Sequence, residues 1–174
     1  MKANSSKNIK AAITAVGGFV PKDFISNQDL EKILDTTDEW ITSRTGIKKR
    51  HILKGEGKGT SYLAIKAAED LIKKSKINPE SIDLVIVSTI TPDYKGPATA
   101  VTVASEINAK NAYAFDLSAA CSGFLYGMSI ASSFIESGRY KKVLLIGADK
   151  MSSVVDYSRR ETSILFGDGA GAVL

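Results

Sequence analysis

The sequence predicts an α/β fold in which five strands form one mixed, mostly parallel sheet with helices on both faces. Three observations carry this expectation. The apolar runs Asp83 to Thr89 and Lys142 to Ala148 are continuous rather than alternating, as strands buried on both faces are. Thr60 to Lys74 has a helical period, with Leu63, Ala64, Ala67, Ala68, Leu71 and Ile72 on one side. Strand-like and helix-like stretches alternate along the chain, with connections long enough for parallel crossovers.

In chain order, Ile9 to Val16 mixes β-branched residues with alanine and ends in Gly17-Gly18, so it reads as a strand entering a turn. Asn27 is placed as the cap of a short helix through Leu34, with Asp29 and Glu31 near its positive end. Thr37 opens a second helical turn carrying Trp40 and Ile41. Lys54 to Gly59, with three glycines, is loop. After the helix at Thr60 to Lys74, Pro79 marks a turn before the strand at Asp83 to Thr89. A loop from Pro92 to Pro97 leads to a helix at Ala98 to Ile107 and a short strand at Ala112 to Phe115. A helix follows from Cys121 to Ser137, with Gly138 just past its end. The strand at Lys142 to Ala148 comes next, and Ser163 to Leu174 reads as a glycine-rich strand.

Composition narrows the function classes. At 174 residues and 44% apolar content, the chain buries roughly 70% of its unfolded surface, enough for one core. The 24% of charged residues are ordinary for a globular domain. No apolar run reaches the ~18 residues of a membrane span. Ala11 to Val20 has the apolar character of a signal segment, but Gly17 and Gly18 break it and no cleavage pattern follows. One cysteine rules out an intramolecular disulfide, and one histidine beside it argues against a zinc cluster. The net charge of +4 is too small to predict a nucleic-acid partner. A cytoplasmic chain with no metal, membrane or nucleic-acid partner is expected. It stops inside the apolar run Ala172-Val173-Leu174, which predicts a longer parent protein.

Cys121 is the candidate reactive group. The segment Phe115-Asp116-Leu117-Ser118-Ala119-Ala120-Cys121-Ser122-Gly123-Phe124 places it between a strand and a helix start. A thiol there faces the positive end of the helix dipole, which favours the thiolate, and the small neighbours leave room for a substrate. The competing reading is a small buried hydrophobe. The glycines of 167–171 lie in an expected strand rather than between a strand and a helix, so they do not form a dinucleotide fingerprint. They fit close backbone approach instead.

Three stretches in order give the chain a resemblance: Asp38-Glu39-Trp40-Ile41-Thr42-Ser43-Arg44-Thr45-Gly46-Ile47, then Asp116 to Phe124, then Phe166-Gly167-Asp168-Gly169-Ala170-Gly171-Ala172. It resembles the N-terminal half of a 3-oxoacyl-acyl carrier protein synthase III, a condensing enzyme of the thiolase superfamily. The resemblance covers nearly the whole chain and implies that residues 1–174 form one half of the thiolase fold, without the C-terminal half. It implies that Cys121 takes an acyl group from acyl-coenzyme A as a thioester, which a thiolate can do without a strong leaving-group acid. It implies an initiating acyltransferase of fatty-acid synthesis that condenses this group with malonyl-acyl carrier protein. The intact protein would be a homodimer with acyl-coenzyme A as substrate and no resident cofactor.

The same resemblance assigns Thr36, Trp40, Arg44 and Arg160 to coenzyme A, with Trp40 stacking on adenine, and Gly96, Met151 and Phe166 to the acyl pocket. A flat aromatic and guanidinium groups suit a base and its phosphates. For Trp40 the competing reading is a half-buried structural aromatic. Met151 and Phe166 would also serve as plain core residues. Gly96 stands where the best-known bacterial members carry a bulky aromatic, so the primer length is open. Arg159 reads as a solvated neighbour of Arg160. His51, in the basic run Lys48-Lys49-Arg50-His51, does not match the family's catalytic histidine and is expected on the surface beside the entrance. The family's His and Asn belong to its second half. The run itself is expected to add positive potential for an acidic carrier protein. Two alternatives stay open: a specialised relative with another acceptor, such as a hydroxymethylglutaryl-coenzyme A synthase or a secondary-metabolite ketosynthase, and a non-catalytic half-fold scaffold.

Overall fold

Leu84–Ser88 (β4) is buried at every residue, and this run is the axis of the molecule in a computed structural model that describes residues 9–174. β4 pairs in parallel with Tyr113–Leu117 (β5) on one side and Val143–Lys150 (β6) on the other. Asp168–Val173 (β7) runs antiparallel to β6, and Val16–Phe19 (β1) runs antiparallel to β7. The sheet order is β1-β7-β6-β4-β5, a parallel three-strand core with two antiparallel additions. The predicted five-stranded mixed sheet is present.

Helices cover both faces, as the continuous apolar strands require. Thr60–Ser75 (α3) and Thr99–Glu106 (α4) bury Ala64, Ala67, Leu71 and Val103 against Val85, Val87, Leu144 and Ile146. On the opposite face Gly123–Glu136 (α5) lays Phe124, Met128, Ala131 and Phe134 against Leu84, Ile86, Val143 and Leu145. The alternation of strand residues between these two clusters is the period-two geometry of the strand. Gly138, with φ of 75°, follows the end of α5 in the expected place.

Beside the sheet sits a smaller layer, of which the sequence reading gave the first two helices but not the strands or the last short helix. Phe24–Ser26 (β2) and Lys49–His51 (β3) pair antiparallel, with Ile25 opposite Arg50. They flank two short helices, Asn27–Glu31 (α1) and Asp38–Thr45 (α2). A four-residue helix, Arg160–Ser163 (α6), completes this layer, and Leu30, Ile41 and Ile164 form its core.

Several boundaries differ from expectation for identifiable reasons. The first strand lies at Val16–Phe19 instead of Ile9 to Val16, with Ile9 and Ile13 exposed. Its first glycine is there to admit α3: a Cβ at Gly17 would lie 2.5 Å from the backbone nitrogen of Leu71 and would also clash with the carbonyl of Ala67. Gly17→Ala should therefore lower stability by about 1–3 kcal/mol, read as a fall in urea midpoint at unchanged slope. An unchanged midpoint would mean that α3 and β1 are not packed this closely.

Ser26, not Asn27, caps α1, in a reciprocal pairing with Asp29, whose carboxyl is held down at about 2 chiefly by the Ser26 hydroxyl. The expected strand from Ser163 begins only at Asp168, because residues 160–163 are helical. Cys121 sits in a 3-10 turn, Ala120–Ser122, and α5 starts two residues later at Gly123.

Candidate active site

β5 delivers the chain to the site and α5 leads it away. Between them Ala120 adopts a left-handed φ of 46°, a conformation that disfavours any side chain with a Cβ. This sharp elbow turns Cys121 outward, and the thiol-bearing residue is exposed. Gly123 allows the helix to start hard against β4, since a Cβ there would overlap the Ser88 hydroxyl. The N-terminus of α5 has no side-chain cap, so its dipole is not answered by a protein carboxylate or hydroxyl at that end.

Cys121 opens into a cleft of about 450 Å³ lined also by Ser88, Phe124, Asp149, Met151 and the glycines Gly167, Gly169 and Gly171. These glycines have separate jobs. Gly167 lets β3 approach, since a Cβ would lie 2.9 Å from the His51 carbonyl oxygen. A Cβ at Gly171 would meet nothing within 4 Å, so that glycine leaves the cleft wide. Asp168, between them, faces away and is buried. Its carboxylate accepts from the backbone N–H of Leu53 (2.7 Å) and of Ser152 (2.8 Å) and from the Ser152 hydroxyl (2.6 Å).

Asp149 is a cleft residue that the sequence reading missed. Its Oδ1 accepts from the Thr89 hydroxyl (2.9 Å), the Ile90 N–H (2.9 Å), the Thr91 N–H (3.2 Å) and the Thr91 hydroxyl (2.9 Å). One carboxylate oxygen thus fixes the loop leaving β4. Asp116 does the same for α4, taking the N–H groups of Thr99 and Ala100 at 2.7 Å each. The only local signal for either residue was an acid at the end of an apolar strand.

A second cluster of residues named from the sequence forms on α2 and α6. Thr37 caps α2 by accepting the Trp40 N–H at 3.1 Å, and Gly46, with φ of 71°, closes the helix. Trp40 is half-buried against the Leu30–Ile41–Ile164 core. The guanidinium carbons of Arg44 and Arg160 lie 4.4 and 4.7 Å from its ring centroid, so both arginines named from sequence do meet Trp40. Arg160 also donates to the Asp35 carbonyl at 3.0 Å, next to Thr36. The Thr36 hydroxyl is buried and has no hydrogen-bond partner among the described residues. Arg159 projects into solvent, near Glu161, as expected.

Residues 160–171 join this cluster to the cleft, running from Arg160 at the tryptophan to the glycine wall beside Cys121. Of the three residues that the resemblance assigns to an acyl pocket, Met151 lines this cleft. Phe166 is 38% exposed beside Gly167, and Gly96 is exposed in the loop after β4 with open space where a side chain would go. Neither Phe166 nor Gly96 lines the cleft.

Two expectations about the basic run are corrected. His51 is half-buried rather than on the surface: its Nδ1–H donates to the Pro21 carbonyl at 2.7 Å, and its ring meets Phe24 edge-on. Arg50 is 2% exposed and offers no surface contact to a carrier protein. Lys48 and Lys49 alone of the run face solvent. Arg50 and His51 alternate across a paired strand, and pairing turned the arginine inward.

Among the described residues no group of histidine, cysteine or acidic side chains could hold a metal ion, and no helix is long and apolar enough to cross a membrane. The model of the family described as 3-oxoacyl-[acyl-carrier-protein (ACP)] synthase III matches residues 115–174. Beta-ketoacyl-[acyl-carrier-protein] synthase III 2 of Bacteroides thetaiotaomicron is 55% identical over 168 residues, 97% of this chain and 50% of that protein. The synthase III of Chlorobaculum tepidum is 57% identical over 166 residues, 95% of this chain and 50% of that one. The crystal structure of 3-oxoacyl-[acyl-carrier-protein] synthase III from Aquifex aeolicus superposes with a TM-score of 0.89 at 51% identity, over 95% of this chain and 52% of that one. The priming beta-ketosynthase of a polyketide biosynthetic pathway does so with a TM-score of 0.91 at 38% identity, over 96% of this chain and 50% of that one. The chain spans about half the length of the curated relatives it matches. Over nearly its whole length the chain is thus similar in sequence and fold to about half of a 3-oxoacyl-[acyl-carrier-protein] synthase III, and residues 115–174 match the model of that family.

Proposed function

We propose that the full-length protein carrying this chain initiates fatty-acid synthesis in the cytoplasm by joining an acyl group from acyl-coenzyme A to malonyl-acyl carrier protein. The observation that carries this reading is an exposed cysteine at the mouth of a helix, in an open cleft whose glycine wall follows directly in the chain from the short helix carrying one of the two arginines that flank Trp40. The thiolate of Cys121 attacks the thioester carbonyl, a carbon–sulfur bond forms, and coenzyme A leaves as its thiolate. Decarboxylation of the malonyl group then supplies a carbanion that attacks the acyl-cysteine, releasing carbon dioxide and returning the cysteine thiolate. The His and Asn that serve this second step in the family belong to its second half, so the first step is the one this chain's own residues perform.

Thr36, Trp40, Arg44 and Arg160 hold the nucleotide end of the donor, with Met151 and, less directly, Phe166 and Gly96 shaping its acyl end. The donor is a substrate, and the reaction draws on no resident cofactor. The protein works as a homodimer. The exposed Leu125 and Tyr126 of α5 and Val154, 65%, 56% and 62% accessible, fit a fold whose remaining half packs here.

The test is product analysis with the full-length protein, acetyl-coenzyme A and malonyl-acyl carrier protein. Coenzyme A, carbon dioxide and 3-oxobutyryl-acyl carrier protein should appear in equal amounts. Release of coenzyme A without the condensed product would reject the reading. Similarity to a priming ketosynthase supports a second reading, a specialised synthase with another primer. A strong preference for a longer or branched donor over acetyl would favour it.

A further inference from the structure

A buried guanidinium with no carboxylate beside it needs a reason. Arg50 is 2% exposed, and among the described residues no acidic side chain forms an ion pair with it. Burial pushes its pKa below the ordinary arginine range. For stability alone, a well-packed apolar side chain would serve such a position at least as well. What an apolar residue could not do is hold specific oxygens in a plane.

The oxygens Arg50 holds belong to two different parts of the site. Nε donates to the Ile164 carbonyl at 2.7 Å, and Nη2 donates to the same oxygen. Ile164 is the C-terminal cap of α6, the helix that starts at Arg160. At four residues, α6 is far too short to stand without tertiary ties. On the other side, Nη1 donates to the Asn27 side-chain oxygen at 2.5 Å. Asn27 is fully buried and spends its own amide on both ends of α2, donating to Asp38 at 2.7 Å and to the Ile47 carbonyl at 2.8 Å. Helix α2 displays Trp40 and Arg44. Arg50 therefore spans the helix that carries the aromatic face and the turn that carries the second arginine, across separations of 23 and 114 residues.

We infer that Arg50, through the Ile164 carbonyl and Asn27, is the positioning residue that sets Arg160 against Trp40 and so fixes the nucleotide end of the acyl-coenzyme A site. The inference rests on the proposed use of that site by acyl-coenzyme A. Arg50 touches no substrate; it acts by holding the groups that do.

The experiment compares two donors in the full-length protein: acetyl-coenzyme A and acetyl-pantetheine, which has the same thioester without the nucleotide. Arg50→Lys keeps the charge and loses the planar fork. It should raise the KM for acetyl-coenzyme A by about tenfold while leaving kcat and the rate with acetyl-pantetheine within about twofold of the parent. Combined with Arg160→Ala, it should add little further loss, because both substitutions remove the same contact. Equal impairment of both donors, or full additivity with Arg160→Ala, would overturn the positioning role and leave Arg50 as plain structure. If Arg50→Lys does not fold, Asn27→Ser is read by the same two criteria. The parent protein separates the two levels: if it uses both donors equally well, the nucleotide site itself fails, and the role of Arg50 fails with it.

Discussion

Replacing Cys121 by serine in the full-length protein should lower acyl transfer by ~1,000-fold or more, the largest effect expected of any single substitution in this chain. The elbow at Ala120 aims this side chain into the cleft, and it is the chain's only thiol. A serine hydroxyl at the same place is a far weaker nucleophile, because it stays protonated where a thiol can ionise, and the one histidine of this chain is turned toward the Pro21 carbonyl. Incubation of the parent protein with acetyl-coenzyme A should leave an acetyl thioester on the peptide containing Cys121, and the serine variant should carry none. The substitution is nearly isosteric at an exposed position, so melting temperature should stay within a few degrees. Condensation that survives in the serine variant would remove Cys121 as the nucleophile.

Trp40→Ala should reduce the use of acyl-coenzyme A by about 10- to 100-fold, on the scale of about 1–3 kcal/mol that a stacked base loses when its aromatic partner is truncated. The ring is half-buried with two guanidinium groups within 5 Å of its centre, a geometry that suits a flat base and its phosphates. It also rests on Leu30, Ile41 and Ile164, so some loss of stability is built into the same substitution. The two contributions separate by half-reaction. If the ring serves the donor, transacylation falls while decarboxylation of malonyl-acyl carrier protein is little changed. If it serves only the core, both rates fall together with a large drop in melting temperature, and Trp40 leaves the site.

The sequence was legible where a single element decides its own structure. β4 and β6 show as unbroken apolar runs because both of their faces are covered, and α3 shows because its stripe is regular. The place of Cys121 between a strand and a helix was legible too, since small residues around one cysteine at such a junction are a local pattern. What stayed hidden depends on distant partners. Gly17-Gly18 reads as a turn until α3 is known to press against it. Arg50 reads as part of a charged surface run, and only oxygens brought in by Asn27 and Ile164 make its burial possible. The β2–β3 pair has three residues per strand, too few to show a period. Asp149 and Asp116 likewise gain their meaning from loops that fold back on them.

The place of β7 between β1 and β6 sets an order of events during synthesis. β4, β5 and β6 can pair as they emerge, since each is joined to the next through its own helix. β1, although made first, has no partner in the sheet until residues 168–173 arrive, because among the described residues β7 is its only neighbour there. At about 5–20 residues per second, that wait is on the order of ten seconds on the ribosome. Throughout it, the outer edge of β6 is open and Leu71 and Ala67 of α3 lack the strand that later presses on them. A nascent chain paused before Asp168 therefore presents an unpaired strand edge beside uncovered apolar surface, the combination that recruits chaperones or a second nascent chain.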